Sequence, residues 1–381
     1  MANTLGVYNP IFYAQEALIQ LEKALGMAGR VHRGYDEERR TFGKGQTISI
    51  RRPSNFEAKD APSTAQDLDT GYVDISLDQW KEVKFSLTDK ELAYTGERII
   101  NDHIRPAAYA LADNIDQALA SLYKYVPWYY DLSGTPVVGD VTGPRQVLFD
   151  IAAPVHDEVN MHYMMNGALS HSLMGLSAFS QYQGAGDAGV ETQRRGTLGM
   201  KYGMECFANQ NTPSHTPGTC ADAAGAIDNA AGYSKGATTI HIDGVTDGGT
   251  VKEGDSFVIA GNTQRYVITA DATFTDGESD INIYPALAAD VADNAVVTIS
   301  IDSHVSNLVF HKNFAALAMA PLSEMGNELG AKIATITDPV TGLSIRSRLF
   351  YDGDNSAVKV ALDILYGFQI LDGNLACRAR G

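Results

Sequence analysis

The sequence predicts an α+β chain with a small all-β domain set into it, and three observations carry that reading. One helical stripe runs from Thr88 to Val126. Two stretches of apolar/polar alternation stand before it. A run of short strands with no helical period follows Thr212. At 381 residues the chain exceeds one compact core of ordinary size, so two or more domains are expected.

The first element is a short amphipathic helix after Asn9-Pro10, with Ile11, Ala14, Ala17 (or Leu18), Leu21 and Leu25 on one face and Gly26 and Gly29 at its end. From His32 to Lys44, Arg33, Arg39 and Arg40 mix with Asp36, Glu37 and Glu38 and leave little to bury. That stretch is either a solvated loop or an arm that gains order against a neighbouring subunit. Ile48 and Ile50 then alternate with Thr47, Ser49 and Arg51. After a polar run, Val73, Ile75 and Leu77 alternate again, followed past Trp80 by Val83, Phe85 and Leu87. Two strands with a long polar tip make an extended hairpin that has little core of its own, so it is expected to lean on something outside the chain.

The stripe Ile100, Ile104, Ala108, Leu111, Ile115, Leu119, Leu122, Val126 keeps one helix face apolar. Thr88 with Glu91 forms a capping-box pattern, and Pro127 cannot continue a helix. One helix of about 55–60 Å follows, weakened at Gly96 and kinked at Pro106. A helix pair broken at Pro106 is the alternative.

Beyond it, Gln146 to Val159 is expected to be helical with a break at Pro154, within a mixed α/β region. Five short strands are then expected at Thr238–Ile242, Ser256–Ala260, Arg265–Thr269, Ile281–Tyr284 and Val296–Ile301, separated by turn signals such as Asp243-Gly244 and Gly261-Asn262. Residues 222–302 hold 13 Asp/Glu against Lys235, Lys252 and Arg265, a net of −10 out of the chain's −17. Unlike sequence flanks this unit on both sides, as for a domain inserted into a host. The host resumes with a strand at Val305–Val309, a helix over Ala315–Ala320, an alternating run from Leu343 to Leu349, and a β-compatible segment Lys359–Tyr366 with Gly367 at a bend.

The domain boundaries that result are 1–45, 46–87, 88–145, 146–211, 212–303 and 304–381.

Hydrophobic residues make up 44% of the chain and mean hydropathy is −0.14. No apolar run approaches the roughly 20 residues needed to cross a bilayer, and no export signal opens the chain. A net charge of −17 argues against a task of gripping nucleic acid through phosphate contacts. Cys206, Cys220 and Cys377 are odd in number and lack a CxxC pair, which fits reduced thiols of an intracellular product.

No motif places catalytic, cofactor-binding or metal-ligating residues. Gly184-x-Gly186-x-x-Gly189 has the letters of a dinucleotide fingerprint, but the mechanism needs a strand before it and a helix after it; a flexible loop is expected. Asp352-x-Asp354-x-Ser356 opens like a calcium loop but has Ala357 where the sharp turn needs Gly, and Asp363 where Glu belongs. His156, His162 and His171 lack the spacing of four that puts two ligands on one helix face. The chain is not expected to be an enzyme.

The order of elements, together with local words, resembles the major capsid proteins of tailed phages with the Hong-Kong-ninety-seven fold, and within them the coat-protein family of the P-twenty-two type. The words are Asn3-Thr4-Leu5 with Ala14-Gln15-Glu16-Ala17-Leu18; Gly43-Lys44-Gly45-Gln46-Thr47-Ile48 with Arg51-Arg52-Pro53; Gly254-Asp255-Ser256-Phe257-Val258-Ile259-Ala260-Gly261; Leu308-Val309-Phe310-His311-Lys312-Asn313-Phe314-Ala315; and Gly342-Leu343-Ser344-Ile345-Arg346. The resemblance spans nearly the whole chain.

It implies an N-terminal arm (1–45), an extended hairpin or E-loop (46–87), a spine helix and peripheral domain (88–145), an axial domain (146–211), an inserted β-domain (212–303) and a return through axial and peripheral domains (304–381). It further implies hexamers and pentamers of this chain closing an icosahedral shell. Assembly would proceed as a procapsid in the host bacterial cytoplasm with a scaffolding protein and a portal as partners, and a decoration protein as a further one. Packaged double-stranded DNA would be touched only non-specifically, with no membrane and no cofactor. The acidic shell would not cling to that DNA. A Lys–Asn crosslink needs a catalytic acid that the sequence does not place. A virion tail or receptor-binding protein is the alternative, and it leaves the spine and hairpin unexplained.

Overall fold

The computed structural model describes residues 10–33, 47–51, 60–61, 72–88, 103–181, 186–220, 225–324, 331–337 and 343–381. The chain divides into two compact units, one of Met1–Asp116 with Ala315–Leu371 and one of Gln117–Phe314 with Asp372–Gly381.

In the first unit everything is arranged on the 14-residue strand Ala357–Ile370. Along one edge it pairs antiparallel with Gln79–Thr88; along the other it pairs first with Ala315–Ala320, at its C-terminal end, and then with Ser344–Asp352, which carries Lys332–Thr337. Helix Pro10–Ala24 packs against the last two strands and buries Tyr13, Ala14, Ala17, Leu18 and Leu21, close to the expected face. The chain after that helix is fixed by Asp116, whose carboxylate accepts from Gly26 N at 2.7 Å and Ala28 N at 3.0 Å.

The hairpin strands Thr47–Arg51 and Tyr72–Ser76 pair antiparallel, with Ile48 opposite Ile75 and Ile50 opposite Val73. Their apolar face is covered from within the chain, by Ala316, Ala318 and Ala320, so the base of the hairpin does not depend on an outside support. That use explains why Ala315–Ala320 is a strand and not the expected helix. Six buried residues without a polar face carry no helical period, and methyl side chains let the hairpin approach closely, so pairing with Leu365–Ile370 overrides alanine's helix propensity. Most of the hairpin tip (52–59 and 62–71), the segment 89–102 and the arm 34–46 lie outside the described residues.

The start of the expected spine, residues 89–102, lies outside the described residues. Thr88 ends a strand opposite Ala357, and its expected capping partner Glu91, like Gly96, lies outside the described residues. The described helix runs Arg105–Ala120 and tightens into a 3₁₀ turn at Ser121–Tyr125. Pro106 is the second residue of that helix and directly follows the π-helical pair His103–Ile104, a local irregularity of the kind that accompanies a proline in a helical run. The stripe itself holds: Ile104, Ala108, Leu111, Ile115, Leu119, Leu122 and Val126 are all buried.

The second unit contains a mixed seven-stranded sheet in the order Tyr129–Asp131, Ala376–Arg380, His304–His311, Met161–Met165, Met204–Ala208, Gly199–Lys201, with Ser214–His215 paired to the start of His304–His311. Met161–Met165 is buried on both faces, as a central strand requires. The expected helix at 146–159 is displaced to Gly139–Asp150, with Pro144 inside it. Proline cannot donate to the Asp140 carbonyl four residues back; the Tyr163 hydroxyl donates to it instead, at 3.2 Å. Helix Gly167–Met174 is capped by Asn166, whose side-chain oxygen accepts from Leu169 N.

The acidic β-region forms a closed barrel in the order Thr239–Asp243, Ser279–Tyr284, Arg265–Ile268, Ser256–Ile259, Val296–Ser300, Gly225–Ile227. Five of these strands overlap those expected. The sixth, three residues long, closes the barrel and is too short to announce itself by alternation. Ile227, Ile240, Ile242, Phe257, Tyr266, Phe274 and Ile299 fill the interior.

Candidate functional site

The motifs set aside on the sequence fall in separate places. Helix Asp187–Arg195 begins inside the Gly184–Gly189 stretch, contrary to a plain loop, and the described element before it is the short helix Ser177–Ser180; residues 182–185, Gly184 among them, lie outside the described residues. Asp352 accepts from Asp354 N and Asn355 Nδ2 and pairs with Lys359, which makes a surface turn and lowers its pKa to about 2, the lysine contact being the main cause. His162 pairs with Glu205 at 2.9 Å on a strand, His171 bonds Gly167 O on a helix, and His156 lies in a turn. The three cysteines are buried and none forms a disulfide.

Among the described residues, one group brings metal-ligating atoms together: Asp228, His241 and Glu278, within 4.8 Å of one another on the barrel surface. His241 stands opposite Asp280 in the ladder and its Nδ1 bonds that carboxylate at 2.8 Å, which raises the imidazole pKa. The arrangement is a solvated ion cluster. Its members are up to 50 residues apart in sequence, so only the barrel register assembles them.

The most heavily built polar region lies where the barrel meets the sheet. Asp255, 1% exposed, accepts from His215 Nε2 at 2.8 Å and from the amides of Lys252 and Gly218. The other nitrogen of His215 takes the Tyr123 hydroxyl at 3.1 Å. Arg378, fully buried, donates from Nη1 to Gly254 O at 2.8 Å. Burial and nearby Arg380 lower its pKa to about 10. Arg265 and Arg380 lie over the Tyr129 ring, 4.0 and 3.5 Å from its centroid.

Beside this junction opens a cleft of about 530 Å³ lined by Tyr123, Lys124, His215, Lys252, Glu253 and Asp271 among others. Its carboxylates are matched to lysines, Glu253 to Lys124 at 2.7 Å and Asp271 to Lys252 at 2.6 Å. Paired charges of this kind hold two segments together; they do not leave a base poised for proton transfer.

Several large apolar side chains face solvent. In the first unit they include Tyr72 (70% exposed) on the hairpin, Trp80, and Ile11 and Ile19 on the N-terminal helix. In the second unit they include Val159 (79% exposed), Phe149, Met200 and Tyr202. Nothing in the sequence reading marked Tyr72, Trp80, Val159 or Phe149 as exposed.

No family model and no curated protein matches the chain. It is similar to solved structures of low identity. One is from Mycobacterium phage Che8 (14% identity over 93% of this chain and 90% of that one, TM-score 0.49). Another is the mature capsid of bacteriophage PhiM1 (10%, 89% and 82%, TM-score 0.42). A third is the capsid of a native GTA particle (9%, 88% and 85%, TM-score 0.43).

Proposed function

We propose that this chain is the major capsid protein of a tailed double-stranded DNA phage, assembling as hexamers and pentamers into the icosahedral shell that encloses the genome. The observation that carries the reading is the order of elements along one chain. An N-terminal helix, a hairpin seated on an alanine strand, a long buried helix and a mixed sheet are followed by a closed acidic barrel spliced into that sheet. The same order gave the sequence its resemblance to coat proteins of the P-twenty-two type.

The chemistry agrees with a structural role. The carboxylates of the cleft are paired with lysines, and exposed apolar side chains occur on both units. Such residues, each a small patch, suit a shell in which many weak contacts add up and misplaced subunits can still dissociate. Net charge of −17 works in the same direction, since screened like-charge repulsion weakens each contact and keeps packaged DNA from adhering to the wall.

In this reading the hairpin tip and N-terminal arm reach neighbouring subunits, the barrel faces outward, and scaffolding and portal proteins act during assembly in the host cytoplasm. Co-expression of the chain with a scaffold from its own genome, followed by sedimentation and electron microscopy, tests it. Closed shells of uniform size are expected. Monomers or trimers alone, with scaffold present, would point to a virion tail protein instead.

A further inference from the structure

We propose that the root of the barrel is an acid-sensitive latch, in which protonation of His304 frees the Gly254–Asp255 turn from the sheet strands that hold it. This goes beyond the shell reading and does not depend on it, because every group involved belongs to one chain.

Two cationic or proton-bearing side chains of the sheet grip that turn: Arg378 through the Gly254 carbonyl, and His215 through the Asp255 carboxylate. His304 lies beside them, its ring centroid 5.2 Å from that of His215, on the strand that pairs with both Ser214–His215 and Ala376–Arg380. Its Nδ1–H donates to Asp302 O at 2.7 Å, which fixes the neutral tautomer with the lone pair on Nε2. That Nε2 is buried and has no partner, and neither do Nε and Nη2 of fully buried Arg378.

The charged and titratable groups around His304 are unbalanced toward positive. The sheet brings Arg378 and Arg380, with Cys377 just before them; the short strand brings His215; the 3₁₀ turn after the long helix brings Tyr123 and Lys124. The barrel brings Glu253, already bonded to Lys124, and Asp255, already bonded to His215 and two amides. Asp131 and Asp302 lie at the solvent side of Arg380.

A proton on His304 would thus create an Nε2–H with no acceptor, in a water-excluding site next to an uncompensated guanidinium. Burial and these cations already hold its pKa down to about 4. Opening the junction admits water to Nε2 and to the orphan donors of Arg378, and separates the charges. Acid therefore favours the open form, with the barrel's own ladders intact.

The test is hydrogen–deuterium exchange of the full chain, corrected for the intrinsic pH dependence of exchange, between about pH 7 and about pH 5. Peptides carrying Gly218 and Lys252, whose amides bond Asp255, are expected to lose protection by on the order of tenfold, while peptides of the barrel strands keep theirs. His304→Phe, neutral and of similar bulk, is expected to hold protection over the same range. Unchanged protection in the wild type, or an equal loss in His304→Phe, overturns the proposal. Should that variant not fold, imidazole titration by NMR on the wild type decides. A His304 that protonates near its ordinary value with the root still protected sinks the latch.

Discussion

Arg346 and Asp363 stand opposite each other in register on neighbouring strands, and the guanidinium Nε donates to Asp363 Oδ1 at 3.0 Å while Nη2 donates to the other oxygen. Asp363 is fully buried and also receives Trp80 Nε1 at 3.1 Å and Arg348 Nη2 at 3.3 Å. Arg348 in turn reaches Glu82 at 2.8 Å, so one carboxylate ties three strands of the first unit. Removing it leaves the buried Arg346 without a carboxylate and Arg348 with Glu82 alone. Asp363→Ala is expected to cost about 3–5 kcal/mol in urea denaturation of the unassembled chain. The paired change Arg346→Met with Asp363→Leu is expected to recover much of that loss, because breaking a buried pair costs more than replacing it. A single variant within 1 kcal/mol of wild type, by the same urea midpoint, would refute this placement of the charges.

Gly367 is required by a close approach and not by a bend. Strand pairing continues through it, and a Cβ built there would lie 2.1 Å from the Ser76 carbonyl oxygen. Backbone cannot yield as a flexible side chain would, so Gly367→Ala is expected to push the hairpin off the alanine strand at a cost of about 1–3 kcal/mol. Exchange rates should report it as lost protection at Ile48, Ile50 and Ile75, with the pairing of Ser344–Asp352 preserved. Protection unchanged at those isoleucines would show that the hairpin has room to spare.

These two sites show what was legible in the sequence. Alternation at Ile48, Ile50, Val73 and Ile75 gave the hairpin, and the stripe from Ile104 to Val126 gave the buried helix face, because both are local periodic signals. Ala315–Ala320 was misassigned because its conformation is decided by a partner strand fifty residues away. The helix at Gly139–Asp150 hid behind Pro144, whose missing donor is replaced by Tyr163, a tertiary contact. The barrel root was out of reach for the same reason: His215, Asp255, His304 and Arg378 meet only after two β-structures are built.

The thiols follow from burial. Cys206 and Cys377 have pKa values pushed up to about 12, in each case chiefly by loss of solvent, so both stay protonated at pH 8. With a raised folded pKa the thiolate is suppressed well past the ordinary range. Thiol titration of the native chain at about pH 8 is expected to find these two unreactive and to release them only on denaturation. Reaction of either at the rate of a free thiol would contradict the depth assigned to the sheet core.

The barrel should be removable. Its core runs from Cys220 to Ile299, and the sheet's core draws on Val141–Cys206, Val309, Cys377 and Ala379; the two share no residue. The chain leaves the sheet after His215 and returns at His304, and those two residues are paired antiparallel, so the ends are as close as the arms of a hairpin. Replacing residues 216–303 with Asn-Gly, a turn suited to such a pair, is expected to leave the sheet folded, as read by exchange protection at Tyr163 and Val309. The excision removes the acceptors that Asp255 and Gly254 offer to His215 and Arg378, but it also lets water reach the orphan donors of Arg378, which offsets part of the loss. A host that unfolds would mean that the junction, and not the sheet's own core, carries the second unit. A host that folds but forms no shells would place the barrel's contribution in assembly.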